Sequence, residues 1–246
     1  MKRTSAVFYC SLVLCLLASA ATVHAGGFAL YEWGNRALGM GTANYATGND
    51  ASVIAYNPAQ MTKLEGTNLY GGVAVITPMS DVYIDGNKNT TKSVSHAIPH
   101  VYATHQLNDK WVIGIGEFTR FGLGTKYDKN WDGKTLLNEA LLESYSFNPS
   151  VGYRVNDSLS VGGGVEVIKG SFLLKKDVNA LVPVLGGSHT KIDVAGTSTG
   201  FNLGMLYDVT DAVSLALTYR SSVHFVGHGD VHRRSGEYLW KRDPDR

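Results

Sequence analysis

Tyr145-Ser-Phe-Asn-Pro-Ser-Val-Gly-Tyr-Arg-Val155 is the stretch that decides the fold. Tyr145, Phe147, Pro149, Val151, Tyr153 and Val155 share one face of an extended chain, and Ser146, Asn148, Ser150, Gly152 and Arg154 share the other. Side chains of a strand alternate sides, so period two over this length defines a strand and excludes a helix. The next stretch repeats the pattern, with Leu159, Val161, Gly163, Val165 and Val167 against Ser160, Gly162, Gly164 and Glu166. Phe201, Leu203, Met205 and Tyr207 oppose Asn202, Gly204 and Asp208, and Val213, Leu215, Leu217, Tyr219, Val223 and Phe225 oppose Ser214, Thr218, Arg220, Ser222 and His224. Fainter alternation at 67–77, 98–107 and 111–121 brings the expected strands to seven.

These strands are long: they match the ~9–11 residues that cross a bilayer at a tilt, against the ~5–6 of an ordinary strand. A secreted sandwich or lipocalin-like barrel also alternates, but it keeps its large apolar side chains in a dry core. Here the opposite face is mostly Ser, Gly, Asn and Thr, as a wet or plugged lumen requires. Connections agree. Leu107–Lys110, Asn156–Ser158 and Val209–Asp211 read as tight Asn/Asp turns, while 78–97, 122–144 and 171–200 read as long loops. Strict long-short alternation is the signature of an outer-membrane barrel with short periplasmic turns, so the first strand starts at the periplasmic side. Seven up-and-down strands cannot close normally, and the charged tail at 230–246 lacks a strand pattern. The expectation is therefore a barrel wall over 67–229 that belongs to a longer barrel or is completed by assembly in trans.

Composition bounds the rest. The 246 residues are 44% hydrophobic and only 17% charged, below the ~25% of soluble domains, with 28 Gly. Lys plus Arg is 22 and Asp plus Glu 21, so no basic excess supports nucleic-acid binding. Lys2 and Arg3, an apolar run from Ala6 to about Ala21, and Val23-His24-Ala25 read as a signal peptide over 1–25. Both cysteines, Cys10 and Cys15, lie within it, which leaves a mature chain without disulfides. A lipidation signal at Leu12–Cys15 is disfavoured by bulky Leu14. No later segment has the 18 or more apolar residues of a membrane helix, so a membrane form must be a closed barrel.

Residues 26–66 are too rich in Gly, Asn and short polar residues to continue the wall, yet hold Phe28, Leu30, Trp33, Leu38 and Ile54. Within them Gly27-Phe28-Ala29-Leu30-Tyr31-Glu32, Leu38-Gly39-Met40-Gly41, Asn49-Asp50-Ala51 and Asn57-Pro58-Ala59 resemble the N-terminal hatch of the FadL family of long-chain fatty-acid transporters. Phe121-Gly122-Leu123-Gly124-Thr125-Lys126-Tyr127, Val151–Asn156, Gly204–Tyr207 and Leu217–Ser221 resemble wall segments of that family in the right order. The resemblance implies an all-β, fourteen-stranded transmembrane barrel in the bacterial outer membrane, plugged by the hatch, of which this chain holds the first half. It implies uptake of long-chain fatty acids or other hydrophobic molecules without a cofactor. Lipid, lipopolysaccharide and the barrel assembly machinery are the implied partners. Cargo would meet an apolar outer groove, pass to a lumen pocket near the hatch, and leave sideways at an inward kink near Phe121, Gly122 and Gly124, with Phe28 at the hatch tip.

Leu136, Leu137, Ala140 and Leu141 fall on one helical face within Lys134–Glu143 and offer an outer apolar surface. Leu181, Val182, Val184 and Leu185 offer a second. Arg154, Lys169 and Arg220 are the candidate cations for a fatty-acid carboxylate, each also readable as lumen packing or rim solvation. Asn57-Pro58-Ala59 reads equally as a capped turn, and the aquaporin reading of that tripeptide fails for want of membrane helices. His224, His228 and His232 recur every fourth residue, but in a strand and a Gly-containing loop they do not converge on a metal. Gly162-Gly163-Gly164 precedes no helix and reads as small lumen-facing residues. Asn89-Thr90-Thr91 fits a glycosylation sequon, a modification foreign to most bacterial outer-membrane chains. The competing function classes are a lipid-modifying outer-membrane enzyme, for which no Ser/His/Asp set has local support, and a structural barrel or inactive truncated product.

Overall fold

The computed structural model describes residues 28–178 and 188–235. Its strands in chain order are β1 (Thr67–Ile76), β2 (Asp81–Ile84), β3 (Asn87–Thr90), β4 (His96–Gln106), β5 (Trp111–Phe118), β6 (Leu123–Lys126), β7 (Glu139–Arg154), β8 (Leu159–Val178), β9 (Ser188–Thr210), β10 (Val213–Arg220) and β11 (His228–Ser235). One antiparallel sheet runs β1-β4-β5-β7-β8-β9-β10, the seven expected strands in their expected order. β6 continues β5 along the same edge of β7, and β11 continues β10 along the same edge of β9. Two wall strands are therefore interrupted midway.

The side-chain alternation sorts as the sequence demands, and the sense of it is decisive. Along β7, Ser144, Ser146, Asn148 and Ser150 are buried while Tyr145, Phe147 and Val151 on the other side are exposed. Phe147 is 52% exposed and its neighbour Asn148 is 0%. A soluble sheet shows the reverse, because burying apolar area is what stabilises it. Outward Leu69, Ile115, Val165, Leu203 and Leu217 extend the apolar surface across the wall. Such a continuous patch belongs against lipid. At the short-turn end the Trp111 and Tyr153 rings meet at a tilt, ring centroids 4.5 Å apart, where an interfacial aromatic girdle is expected.

Two of the three tight turns form through their Asn side chains. Asn108 Oδ1 accepts from the Lys110 and Trp111 amides, and Asn156 Oδ1 from those of Ser158 and Leu159. The long connections differ from expectation. Strand β8 runs on to Val178 and β9 begins at Ser188, so most of 171–200 is a paired hairpin rather than a loop. The segment 78–97 carries the β2–β3 hairpin, and 122–144 carries β6 and the start of β7. No helix forms over Lys134–Glu143: Leu136 and Leu137 lie in a turn, and Ala140 and Leu141 are in β7, because its ladder with β8 reaches Glu139↔Lys175. Of the tail expected to be irregular over 230–246, residues up to 235 instead pair with β9 as part of β11, and 236–246 lie outside the described residues. His228 and His232 are thus strand residues rather than loop residues.

Inside the curve of the sheet lies the N-terminal segment, with two short helices, α1 (Asn35–Gly39) and α2 (Val53–Tyr56), and a 3-10 turn over Pro58–Lys63. Its apolar residues Trp33, Val53, Ile54, Tyr56 and Met61 pack against Tyr102, Val112 and Phe118 of the wall in one buried cluster. This is the hydrophobic core, and it joins plug to wall.

Candidate functional site

The plug is seated by shape and then pinned by hydrogen bonds. Asn57 caps the 3-10 turn, its Oδ1 accepting from the Ala59 amide at 3.1 Å, while Nδ2 donates to Tyr45 O and to Met205 O of β9. The wall opposite is glycine for a steric reason. A Cβ on Gly204 would lie 2.0 Å from Asn57 Oδ1, and one on Gly162 2.6 Å from the Ala59 nitrogen. Asn57, Pro58 and Ala59, all buried, therefore act as the capped turn and as the surface on which the plug docks. Asn202 Nδ2 donates to Ile54 O, Thr62 Oγ1 to Ser160 Oγ, and Arg154 to Thr62 O. Lys63 pairs with Asp208 at 2.6 Å at the short-turn end.

Arg220 donates to Ala55 O of the plug and to Glu166 Oε2 at 2.6 Å, and its guanidinium lies 5.1 Å from the Trp33 ring. Arg120 donates to the same Glu166 oxygen at 3.0 Å and to Ser221 O at 2.7 Å. Glu166 is fully buried, and its Oε1 has no hydrogen-bond partner. Two guanidiniums around one carboxylate leave a unit of positive charge, and both line a cavity of about 310 Å³ with Tyr31, Trp33, Tyr45 and Tyr56.

Beside this cluster the wall is broken. Between Phe118 and Leu123 the chain leaves the ladder, and the plug takes its place: Leu30 N donates to Arg120 O and Gly122 N to Phe28 O, both at 3.0 Å. Ala29 and Phe121 thus form an isolated antiparallel bridge. Ser144 Oγ accepts from Phe121 N and donates to Phe121 O. Strand β4 pairs with β5 only up to Val101↔Glu117, so His96–His100 has no partner on that edge among the described residues. Pro99, which has no amide hydrogen to leave unsatisfied, sits in that stretch, as edge positions favour. The resulting side cavity, about 170 Å³, is lined by Leu30, Ile98, Gly122, Gly124, Leu141 and Leu142. A Cβ on Gly124 would meet the His96 ring and one on Gly122 the Leu30 side chain. On the other side of the bridge a third cavity, about 280 Å³ and almost wholly apolar, is lined by Phe28, Phe121, Leu142, Phe172, Val194 and Phe225.

Of the expected site residues, the fold thus gathers Phe28, Leu30, Phe121, Gly122 and Gly124 at one point. Arg154 and Arg220 face inward but are held by plug carbonyls. Lys169 is corrected: it pairs with Tyr145 on the lipid-facing side, because an odd position in β8 shares the face of Val165 and Val167. Leu136 is exposed, Leu141 lines the side cavity, and Leu181 and Leu185 lie outside the described residues. Sequence reading missed Arg120, Glu166 and Phe225. Glu166 had a signal, as an acid among the small lumen-facing residues of β8.

An apolar outer face, a hydrogen-bonded interior and a docked N-terminal plug define a plugged outer-membrane β-barrel. The chain belongs to the outer membrane protein transport protein family (OMPP1/FadL/TodX), whose model matches residues 16–240. It is 28% identical over 221 residues to the long-chain fatty acid transport protein of Salmonella typhi, covering 80% of this chain and 50% of that one. It is 25% identical to outer membrane protein P1 of Haemophilus influenzae, covering 86% and 57%. The chain spans about half the length of the curated relatives it matches. Among solved structures, its fold is similar to a Pseudomonas aeruginosa FadL homologue, with TM-score 0.65, 19% identity and coverage of 80% of this chain and 53% of that one. The P. putida toluene transporter TodX follows at 0.61, 22%, 77% and 57%. The family is one of transport proteins rather than enzymes, and its members are outer-membrane barrels.

Proposed function

We propose that the chain moves hydrophobic molecules, long-chain fatty acids foremost, from the outer surface through the lumen and out sideways at the break between Phe118 and Leu123. The observation that carries this reading is the Ala29–Phe121 bridge, which stands between the apolar cavity and the side cavity. Two hydrogen bonds hold it, at about 0.5–1.5 kcal/mol each. Burying one CH₂ yields ~0.8 kcal/mol, so several methylenes of a cargo chain entering the apolar cavity offset the bridge. Arg120 and Arg220 supply the cationic end for a carboxylate, replacing Lys169 in that role. Leu136 contributes to the outer apolar surface. Lipid and lipopolysaccharide meet the outer face, and the barrel assembly machinery inserts it. Saturable uptake of labelled oleate by cells producing this chain, abolished by deleting Gly26 to Phe28, tests the reading. Equal uptake with and without those residues contradicts it.

A further inference from the structure

The second broken strand has the same construction as the first. Between Phe118 and Leu123 four residues face three of β7, those between Leu142 and Ser146. Between Arg220 and His228 seven residues face six of β9, those between Ala195 and Asn202. Each break thus carries one extra residue, the count of a bulge, and a bulge bends a strand away from its ladder. Both lie at one height, because Tyr145, Lys169 and Thr197 form a single cross-strand row between them. The breaks flank the unbroken panel β7-β8-β9, and the apolar cavity lies against the inner side of that panel.

The segment Ser221–Gly227 folds inward over a dent made by Gly170 and Gly196, which are cross-strand partners. A Cβ on Gly170 would lie 3.0 Å from the Phe225 ring, and one on Gly196 2.5 Å from Val226 O. Phe225 meets Phe121 edge to face, centroids 6.5 Å apart, so one aromatic residue from each break closes the same cavity. Among the described residues three bonds hold the segment to β9: Ser221 N to Phe201 O, Phe201 N to Ser221 Oγ, and Ser198 Oγ to His224 O. Arg120, within the first break, reaches across to Ser221 O in the second.

We propose that the break at Ser221–Gly227 is a second side portal of the apolar cavity, passing uncharged chains or rings, and that Arg120 couples its closure to that of the first. The coupling stands on geometry alone, whereas the passage of cargo rests on the transport reading above. Arg120→Lys keeps a positive charge beside Glu166 but removes the fork that spans to Ser221. Amide hydrogen exchange on the purified full chain in detergent micelles reads the consequence. Exchange of the Ser221 and Gly122 amides is expected to rise together by about tenfold, with the amides of β8 unchanged. A Ser221 amide that exchanges as in the parent chain overturns the coupling. Gly200→Cys with Val223→Cys then pins the segment, since a Cβ on Gly200 lies 3.0 Å from Val223 Cγ1. Oxidation of this pair is expected to lower toluene uptake, with recovery on reduction. Unchanged uptake on oxidation overturns the second portal and leaves the transport reading intact. No uptake even by the parent chain overturns the transport reading, and with it the portal's cargo.

Discussion

Gly204 and Glu166 show how single residues hold a plug in a lumen. Gly204→Ala pushes a methyl group to 2.0 Å from Asn57 Oδ1, so either the cap or the docking must yield. The expected cost is about 1–3 kcal/mol, read as a lowered urea midpoint of the detergent-folded chain. Gly39→Ala, with nothing within 4 Å, leaves the midpoint unchanged or raises it. Glu166→Gln strips the one carboxylate that, among the described residues, pairs with two largely buried guanidiniums, and the expected loss is about 3–5 kcal/mol by the same measurement. A loss below 1 kcal/mol would show that water, not Glu166, solvates those cations. These residues were partly legible. The Asn57 cap and the small residues facing it follow from turn chemistry and from alternation in β8 and β9. The ion cluster does not, since Arg120 and Glu166 are 46 positions apart and only the sheet brings them together.

At the scale of elements, strands were readable wherever one face meets lipid and the other the lumen. The outer ends of β8 and β9 lost that contrast. Both faces of Leu174–Val178 and Ser188–Asp193 lie beyond the row of Tyr145, Lys169 and Thr197, so no binary pattern marks them, and only the backbone ladder makes them strands. The same reason hid β11, whose His228–Ser235 sequence is mostly polar. Lys134–Glu143 misled in the opposite way: its leucines have helical spacing, but the ladder from β8 overrides that local preference. Glu139 secures this ladder through Lys126 at 3.1 Å and Lys175 at 2.9 Å. Burial alone would raise its carboxyl pKa, but the hydrogen bonds from the two lysines prevail and lower it. A lowered folded-state pKa stabilises above the ordinary glutamate range, and that contribution disappears as pH falls through the folded value. Amide protection at the base of the β7–β8 hairpin is therefore expected to weaken on acidification below about pH 4. Glu139→Gln is expected to remove that dependence, and a variant retaining the full acid response contradicts the assignment.

For the molecule as a whole, the inversion of apolar and polar faces matters more than any one site. Plug, broken strands and cavities all presuppose that the buried side of the sheet is the lumen and the exposed apolar side is the membrane surface. Adjacent residues of β7 test this most directly, because Phe147 and Asn148 occupy neighbouring positions on opposite faces. Single cysteines at these two positions, labelled with a fluorophore after reconstitution into bilayers, are exposed to lipids carrying a nitroxide quencher on the acyl chain. Strong quenching is expected at 147 and little at 148, alternating likewise at 151 and 150. Equal quenching at both positions, or stronger quenching at 148, would contradict it.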